Sequence, residues 1–226
     1  PFTWSNYDFI LHYPIFLDAV RTSVMLAALA ATLVALLTFI AAWITQRGAP
    51  RHGWMLDALA FTPIAIPSVI IGASVLFAYL MLPFPVYNTI WILLIAYITL
   101  YLPYGMRYSY AGVLQIHREL EEAGAMSGAR QTTIFLRIVV PIALPGMVAA
   151  FIISVVLCWN EYFFAALLTS TSAKTLPAMV ASQTGSQGIN WWTMAALSSA
   201  AILPLIVIGI VFERYIVKGL TAGAGK

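Results

Sequence analysis

Long apolar stretches, separated by short polar segments, dominate this chain. About 20 consecutive apolar residues are needed for an α-helix to cross the roughly 30 Å hydrocarbon core of a bilayer. Five stretches reach that length, so we expect membrane-spanning helices at residues 23–44, 55–82, 89–112, 145–168 and 194–217. The first contains no charged residue and is the clearest of the five.

Prolines and one capping residue add detail to these spans. Pro63 and Pro67 lack backbone N–H donors and are expected to kink the second span. Asn88 is expected to cap the start of the third. Pro204 lies inside the fifth, where a proline requires a neighbouring group or a bend to satisfy the freed carbonyl.

Composition supports the same class. Hydrophobic residues make up 62% of the 226 residues, charged residues only 8%, and the mean hydropathy is +0.92. A soluble fold needs far more polar surface. The net charge of +3 comes from few Lys and Arg residues at the ends of apolar runs, which argues against nucleic-acid binding. The chain is therefore predicted to be one all-α membrane domain, residues 1–226, with a bundle of about five spanning helices.

The distribution of cations predicts the orientation, because Lys and Arg concentrate on the cytoplasmic side of membrane proteins. Most cations follow the first, third and fifth spans: Arg47, Arg51, Arg107, Arg118, Arg130, Arg137, Arg214, Lys218 and Lys226. We therefore expect a cytoplasmic C-terminus, a cytoplasmic segment at about 115–140 and an external loop at about 169–192. Pro1 would then be external, and a further span upstream of Pro1 would explain this without a signal peptide.

The cytoplasmic segment has the pattern of two short helices joined by a tight turn. Ile116, Leu120 and Ala123 recur at helical spacing, with Arg118 and three glutamates on the remaining face, as in an amphipathic surface helix. Gly128 is expected to end the first helix in a left-handed conformation. A generic charged stretch of this kind is most often an ordinary solvated helix.

The same segment resembles the signature loop of permeases in ATP-binding-cassette importers, called the EAA loop. Matching positions are Glu122, Ala123, Gly128, Ala129, Pro141 and Pro145. The chain departs from the signature in having Gly124 where a second alanine is usual and Ser127 where Asp is common. The resemblance implies that this helix docks on a cytoplasmic ATPase through Arg118, Leu120, Glu122, Ala123, Gly124, Met126, Gly128 and Ala129.

Downstream stretches resemble the carbohydrate-uptake branch, specifically its maltose-type second permease. They are WNEYFFAALLTS at 159–170, KTLPAMVAS at 174–182 and ERYIVKGLTAGAGK at 213–226. The resemblance implies a six-span subunit in a bacterial or archaeal cytoplasmic membrane. Its partners would be a second homologous permease, two ATPase subunits that bind ATP and Mg²⁺, and an external solute-binding protein. No cofactor is expected on this chain.

A polar and aromatic cluster inside the fourth span is the candidate sugar pathway: Trp159, Asn160, Glu161 and Tyr162. A carboxylate within a span costs roughly 2.5–3.5 kcal/mol and therefore suggests a function. Aromatic rings could stack on a sugar while the amide and carboxylate bind its hydroxyls. Equally, Asn160 and Glu161 could bond a partner helix or a broken backbone.

Other functions have less support in the sequence. A polyamine, polyol or ferric-ion importer would use similar features. An intramembrane enzyme would need convergent acidic, His or Ser groups within the spans, so no catalytic residue is predicted. The glycines of the C-terminal GLTAGAGK lack phosphate-loop spacing, and His12, His52 and His117 lack metal-ligand spacing.

Overall fold

The computed structural model describes residues 4–48, 50–81, 83, 86–170, 173–185, 188–189 and 191–221. Nearly all of these residues are helical, which confirms the expected all-α membrane fold. The helices are α1 Ser5–Leu11, α2 Pro14–Arg47, α3 Pro50–Ala65, α4 Ser68–Met81, α5 Ile90–Leu114, α6 Arg118–Met126, α7 Gln131–Ile134, the π-helix π1 Phe135–Val139, α8 Val140–Trp159, α9 Phe163–Leu168, α10 Leu176–Ala181 and α11 Trp191–Thr221. A two-residue antiparallel pair, β1 Thr184–Gly185 and β2 Gly188–Ile189, precedes α11.

Among the described residues, four helical stretches are long and apolar enough to cross a membrane. They are Ile15–Arg47, Ile90–Leu114, Gln131–Trp159 and Trp191–Glu213. The number rises to five if α3 and α4 together count as one broken span.

The second expected span is two helices rather than one kinked helix. Pro63 lies inside α3, and the chain breaks at Ile66 and Pro67, with a bend of 105° at the break. Pro67 has no N–H to continue the helix, and its ring disfavours helical geometry at the residue before it. The break therefore lies at the second proline, not at both.

The fourth expected span, 145–168, is wrong at both ends. Its helix begins upstream, because Gln131–Trp159 is continuous through α7, π1 and α8. It ends at Trp159, and the chain resumes as α9 only at Phe163. At the break, the Glu161 side chain bonds N–H groups of α9, as described below. Part of the expected cytoplasmic segment, from Gln131 onwards, is thus continuous with the fourth candidate spanning helix.

Asn88 does not occupy the capping position expected for it. The third helix, α5, begins at Ile90, and Asn88 has a left-handed φ of 60°. Its Oδ1 accepts a hydrogen bond from the Ser170 N–H at 2.8 Å. Asn tolerates left-handed geometry better than most residues, which suits it to this turn.

The chain divides into two compact units, each assembled from three separate segments. The first unit contains Pro1–Ala30, Pro67–Tyr97 and Val155–Val211, and the second contains Ala31–Ile66, Ile98–Ser154 and Phe212–Lys226.

The second unit has a buried apolar core drawn from α2, α3, α5, the turn between α5 and α6, α7, π1 and α8. Its members are Phe39, Ala42, Ala60, Met106, Val113, Ile116, Ile134, Val139 and Ala143. Two glycines let α5 and α8 approach closely, because a Cβ on Gly146 would lie 2.7 Å from the Gly112 Cα. Small residues at such crossings are characteristic of membrane helices. Thr38 and Ser109 share a buried hydrogen bond of 2.9 Å between α2 and α5.

The first unit is held by hydrogen bonds between distant segments as well as by apolar packing. Ser23 Oγ in α2 accepts the Leu176 N–H at 2.7 Å and so fixes the start of α10. Gly72 in α4 packs against Phe163 and Leu167 in α9. Residues of α11 leave a row of large apolar side chains exposed, as a bilayer permits: Ile202, Leu203, Ile206, Val207, Ile210 and Val211.

Candidate functional site

Helix α6 ends in the turn that the sequence predicts. Gly128 has a φ of +79°, the Gly128 N–H bonds the Ala125 carbonyl at 3.0 Å, and the Ala129 N–H bonds the Gly124 carbonyl at 3.1 Å. These two bonds form a Schellman motif, in which a left-handed residue closes the last helical turn. The predicted left-handed conformation of Gly128 is confirmed.

One face of α6 packs on the chain itself, and it consists of Glu121 and Gly124. Residues three apart share a helix face. A Cβ on Gly124 would lie 3.1 Å from both Ile134 Cγ1 and Ile138 Cδ1, closer than most Cβ contacts. This packing gives a physical reason for Gly124, the position at which the sequence departs from the usual alanine.

Arg47, the last residue of α2, holds the same face. Its Nε donates to Glu121 Oε1 at 2.7 Å, and its Nη2 donates to the Ile116 carbonyl at 2.7 Å. The two charged side chains are 18% and 15% exposed. Arg47 thus binds both the turn before α6 and the helix itself.

The rest of α6 is exposed, including the apolar residues expected to contact a partner. Ile116 is buried as expected, whereas Leu120 is 44% exposed and Met126 is 90% exposed. Ala123 is exposed too, together with Arg118, Glu119 and Glu122. A Cβ on Gly128 would meet nothing within 4 Å. Within the described chain, the apolar residues Leu120, Ala123 and Met126 therefore have room for another molecule.

Ala129, like Gly124, packs against the core of its own unit. The chain then enters α7 and π1. Phe135 in π1 stacks edge-on against Trp43, with ring centroids 4.8 Å apart. Pro141 lies just beyond π1 and offers no N–H to the carbonyl four residues earlier, which accounts for a wider turn at this point.

The second candidate region is the break after α8, and here Glu161 has a structural role. Its carboxylate accepts the N–H of Phe164 at 3.0 and 3.1 Å and the N–H of Ala165 at 3.3 Å. These are N–H groups that the first turn of α9 cannot satisfy internally. The sequence left open whether Glu161 binds a solute or bonds a partner helix or a broken backbone. The geometry fits a carboxylate that bonds the broken backbone.

The neighbours of Glu161 divide into bonded and accessible residues. Trp159 is 4% exposed, and its Nε1 donates to the Ala201 carbonyl of α11 at 3.1 Å. Asn160 is exposed, although its Nδ2 donates to the Val156 carbonyl at 2.8 Å. Tyr162 is 48% exposed. Of the four residues from Trp159 to Tyr162, Asn160 and Tyr162 are the two that are exposed.

Residues 36–221 match the model of the protein family described as "Binding-protein-dependent transport system inner membrane component". The chain belongs to this family. The suspected resemblance to binding-protein-dependent permeases is therefore confirmed.

Two curated relatives and one solved structure are similar to this chain. The trehalose transport system permease protein SugB of Mycobacterium tuberculosis (strain CDC 1551 / Oshkosh) is 37% identical over 137 residues, which cover 59% of this chain and 50% of that protein. The trehalose/maltose transport system permease protein MalG of Thermococcus litoralis is 31% identical over 141 residues, covering 62% of this chain and 51% of that protein. The chain thus spans about half the length of these two relatives.

The similar structure is a crystal structure of a bacterial ABC transporter involved in the import of the acidic polysaccharide alginate. It matches with a TM-score of 0.73 and 16% identity over 94% of this chain and 79% of the other. At that identity the match establishes the fold of the permease and no more.

The sequence pattern does not identify Arg47 and Glu121 as the pair that holds α6 in place. In the sequence, Arg47 is one of the cations that indicate the membrane orientation. Glu121 is one of several glutamates on the polar face of α6. Arg47 and Glu121 lie 74 positions apart, so no local pattern connects them. No local pattern connects Asp57 and Tyr110 either. The Asp57 Oδ1 accepts a hydrogen bond of 2.7 Å from the Tyr110 hydroxyl, which lies on another helix.

No group of three or more His, Cys, Asp or Glu residues within the described part of the permease could hold a metal ion. Cys158 is a buried free cysteine. His52 lies in α3, but its side chain is outside what the structure describes.

Proposed function

We propose that this chain is the permease subunit of an ATP-driven importer and forms half of the pathway for a mono- or oligosaccharide. It would be driven by a cytoplasmic ATPase that docks on α6. The observation that carries the proposal is the two-sided character of α6. Glu121 and Gly124 are held by the chain, while Leu120, Met126 and Gly128 are open on the exposed side.

An exposed apolar surface on a short, firmly seated helix suits a docking element. Apolar contacts supply most of the binding energy at such interfaces, whereas an exposed ion pair contributes only about 0.2–1 kcal/mol. Leu120 and Met126 would therefore be the main contacts, with Glu122 and Arg118 at the rim. Gly128 would let a partner approach the backbone closely, and Gly124 and Ala129 would support the docking helix from behind.

The distribution of cations supports an orientation with α6 and the C-terminus in the cytoplasm. Family membership supports an inner-membrane location with several spans. We place the loop at 169–192 outside.

The sugar substrate is supported by the relatives. Two proteins at 37% and 31% identity are named for trehalose transport and for trehalose/maltose transport. These names belong to longer proteins, so the substrate class of this chain is part of the proposal.

Solute contacts in this subunit would come from Tyr162 and Asn160. The Tyr162 ring has accessible surface on which a sugar face can stack, and Asn160 offers an amide to hydroxyl groups. Trp159 and Glu161 would shape this part of the pathway by fixing the ends of α8 and α9 rather than by touching the sugar.

The chemistry would lie in the partners. Two ATPase subunits would bind and hydrolyse ATP with Mg²⁺, a second homologous permease would complete the pathway, and an external solute-binding protein would deliver the sugar. This chain would bind no cofactor and perform no catalysis.

The test is to isolate the assembled transporter through a tag on this subunit, reconstitute it and assay ATP hydrolysis. We expect ATPase subunits to copurify and their turnover to rise with a binding protein loaded with one disaccharide, trehalose or maltose. Absence of any copurifying ATPase would contradict the importer class. Stimulation by a loaded polyamine- or iron-binding protein instead would contradict the sugar assignment alone.

A further inference from the structure

The end of α2 contacts the segment around α6 at two separate places. Arg47 bonds Ile116 and Glu121 at the start of α6. Trp43 and Phe39, one and two turns earlier, meet the Phe135 ring in π1, with centroid distances of 4.8 and 5.7 Å. Residues 39–47 of α2 thus touch the chain both before and after the turn at Gly128.

The two bonds from Arg47 constrain α6 in complementary ways. The bond to the Ile116 carbonyl fixes where the chain enters the helix, and the bond to Glu121 fixes the rotation of the helix about its own axis. A guanidinium can do both at once because its N–H groups form a rigid planar fork. With Gly124 packed on Ile134 and Ile138, rotation of α6 would separate the Arg47–Glu121 pair.

We propose that Arg47 is a positioning residue that, through Glu121, makes α6 and the end of α2 move as one body when a partner pushes on α6. This proposal rests on the proposed ATPase docking at α6. Arg47 itself touches neither sugar nor nucleotide in this account. Its effect is on how much of the ATPase movement reaches residues 39–47 of α2.

The partial burial of the pair makes the proposal testable by removing one charge. A charged group with little solvent contact is destabilised when its partner is lost, which weakens the connection without deleting a helix. Glu119 supplies a matched control. Glu119 and Glu121 are both acidic residues of the first turn of α6, where the helix dipole favours a negative charge. Glu119 is exposed, and no ion pair to it is seen within the described residues.

The experiment measures sugar imported per ATP hydrolysed by the complete transporter in proteoliposomes. Glu121→Gln is expected to lower this ratio about fivefold, a typical size for a coupling residue remote from the ligands. Glu119→Gln removes the same charge from the exposed side of α6 without touching the Arg47–Glu121 pair, so it is expected to lower the ratio less than Glu121→Gln does. Arg47→Glu and Glu121→Arg are each expected to lower the ratio. The double variant, which exchanges the two charges, is expected to have a higher ratio than either single variant.

A crosslink separates this proposal from the docking proposal. In a Cys158→Ala background, Leu120→Cys is crosslinked to the ATPase subunit with and without Glu121→Gln. A retained crosslink with a lowered ratio supports the positioning role. The positioning role is overturned, with docking left intact, if Glu121→Gln retains the crosslink and has an unchanged ratio. It is also overturned if the double charge swap has a ratio no higher than the single variants. No crosslink even with Glu121 present contradicts docking itself.

Discussion

Two interruptions of the helical chain, at Gly128 and at 160–162, use their polar residues in opposite ways. At Gly128 the backbone closes its own turn through two N–H···O=C bonds, so the side chains of α6 are left accessible. At the second break the first N–H groups of α9 are satisfied by a side chain, because the Glu161 carboxylate accepts from Phe164 and Ala165. Where a glycine turn lets the backbone bond itself, the nearby side chains remain available for binding. Where a carboxylate accepts the backbone N–H groups, that carboxylate is no longer available to a ligand.

The largest effect should come from removing the cap at the second break. Glu161→Ala leaves two N–H groups without an acceptor and should destabilise the fold by about 3 kcal/mol, since each unsatisfied buried donor costs about 1–3 kcal/mol. Glu161→Gln keeps one acceptor and should cost less. Thermal unfolding in detergent measures both. A melting temperature unchanged in Glu161→Ala would show that the carboxylate is available for another purpose.

A smaller but purely functional effect is expected on the exposed face of α6. Leu120→Ser with Met126→Ser should lower ATPase binding by about 2 kcal/mol, the scale of central contacts in an interface, with little change in melting temperature. ATPase retained on the purified subunit measures this, with Leu114→Ser, another exposed leucine outside α6, as a control. Equal losses for both variants would contradict a specific docking face.

At the turn itself, Gly128→Ala should cost about 1–2 kcal/mol, because a Cβ is disfavoured at a φ of +79° even though the site has open space. Gly128→Asn should cost less, since Asn accepts left-handed geometry. Thermal unfolding ranks the three proteins. If Ala is no worse than Asn, backbone geometry is not the reason for glycine here.

The smallest effect concerns the exposed residue beside Glu161. Tyr162→Ala should raise the KM for sugar uptake by a few-fold, because one stacking contact of about 0.5–1.5 kcal/mol is lost. Tyr162→Phe keeps the ring and should remain near the unsubstituted protein. The KM for uptake is measured for both variants. If Tyr162→Phe raises the KM as much as Tyr162→Ala does, the hydroxyl rather than the ring makes the contact.

Sequence pattern predicts the parts of this molecule that depend on local chemistry. The apolar stretches, the amphipathic α6 and the left-handed Gly128 all follow from spacing and residue type within a few turns. The position of the break at Ile66 and Pro67 is harder to predict from the sequence. Both Pro63 and Pro67 could interrupt a helix, and only packing selects between them.

The residues that the pattern misses are those defined by distant segments. Glu161 could bind a solute or a backbone, and the choice depended on α8 ending at Trp159 rather than continuing. Which face of α6 is covered depended on Arg47 and on Ile134, neither of which is local to the helix. Contacts formed on folding between remote segments leave no periodic signal in the sequence.

The central claim is that the exposed side of α6 receives a separate ATPase, and a crosslink at Met126 tests it most directly. Met126→Cys should form a disulfide or bifunctional crosslink with an ATPase subunit in native membranes, and its yield should change when ATP binds. A cysteine at position 126 that is labelled only by reagents added outside the cell, or that never captures an ATPase, would contradict the claim.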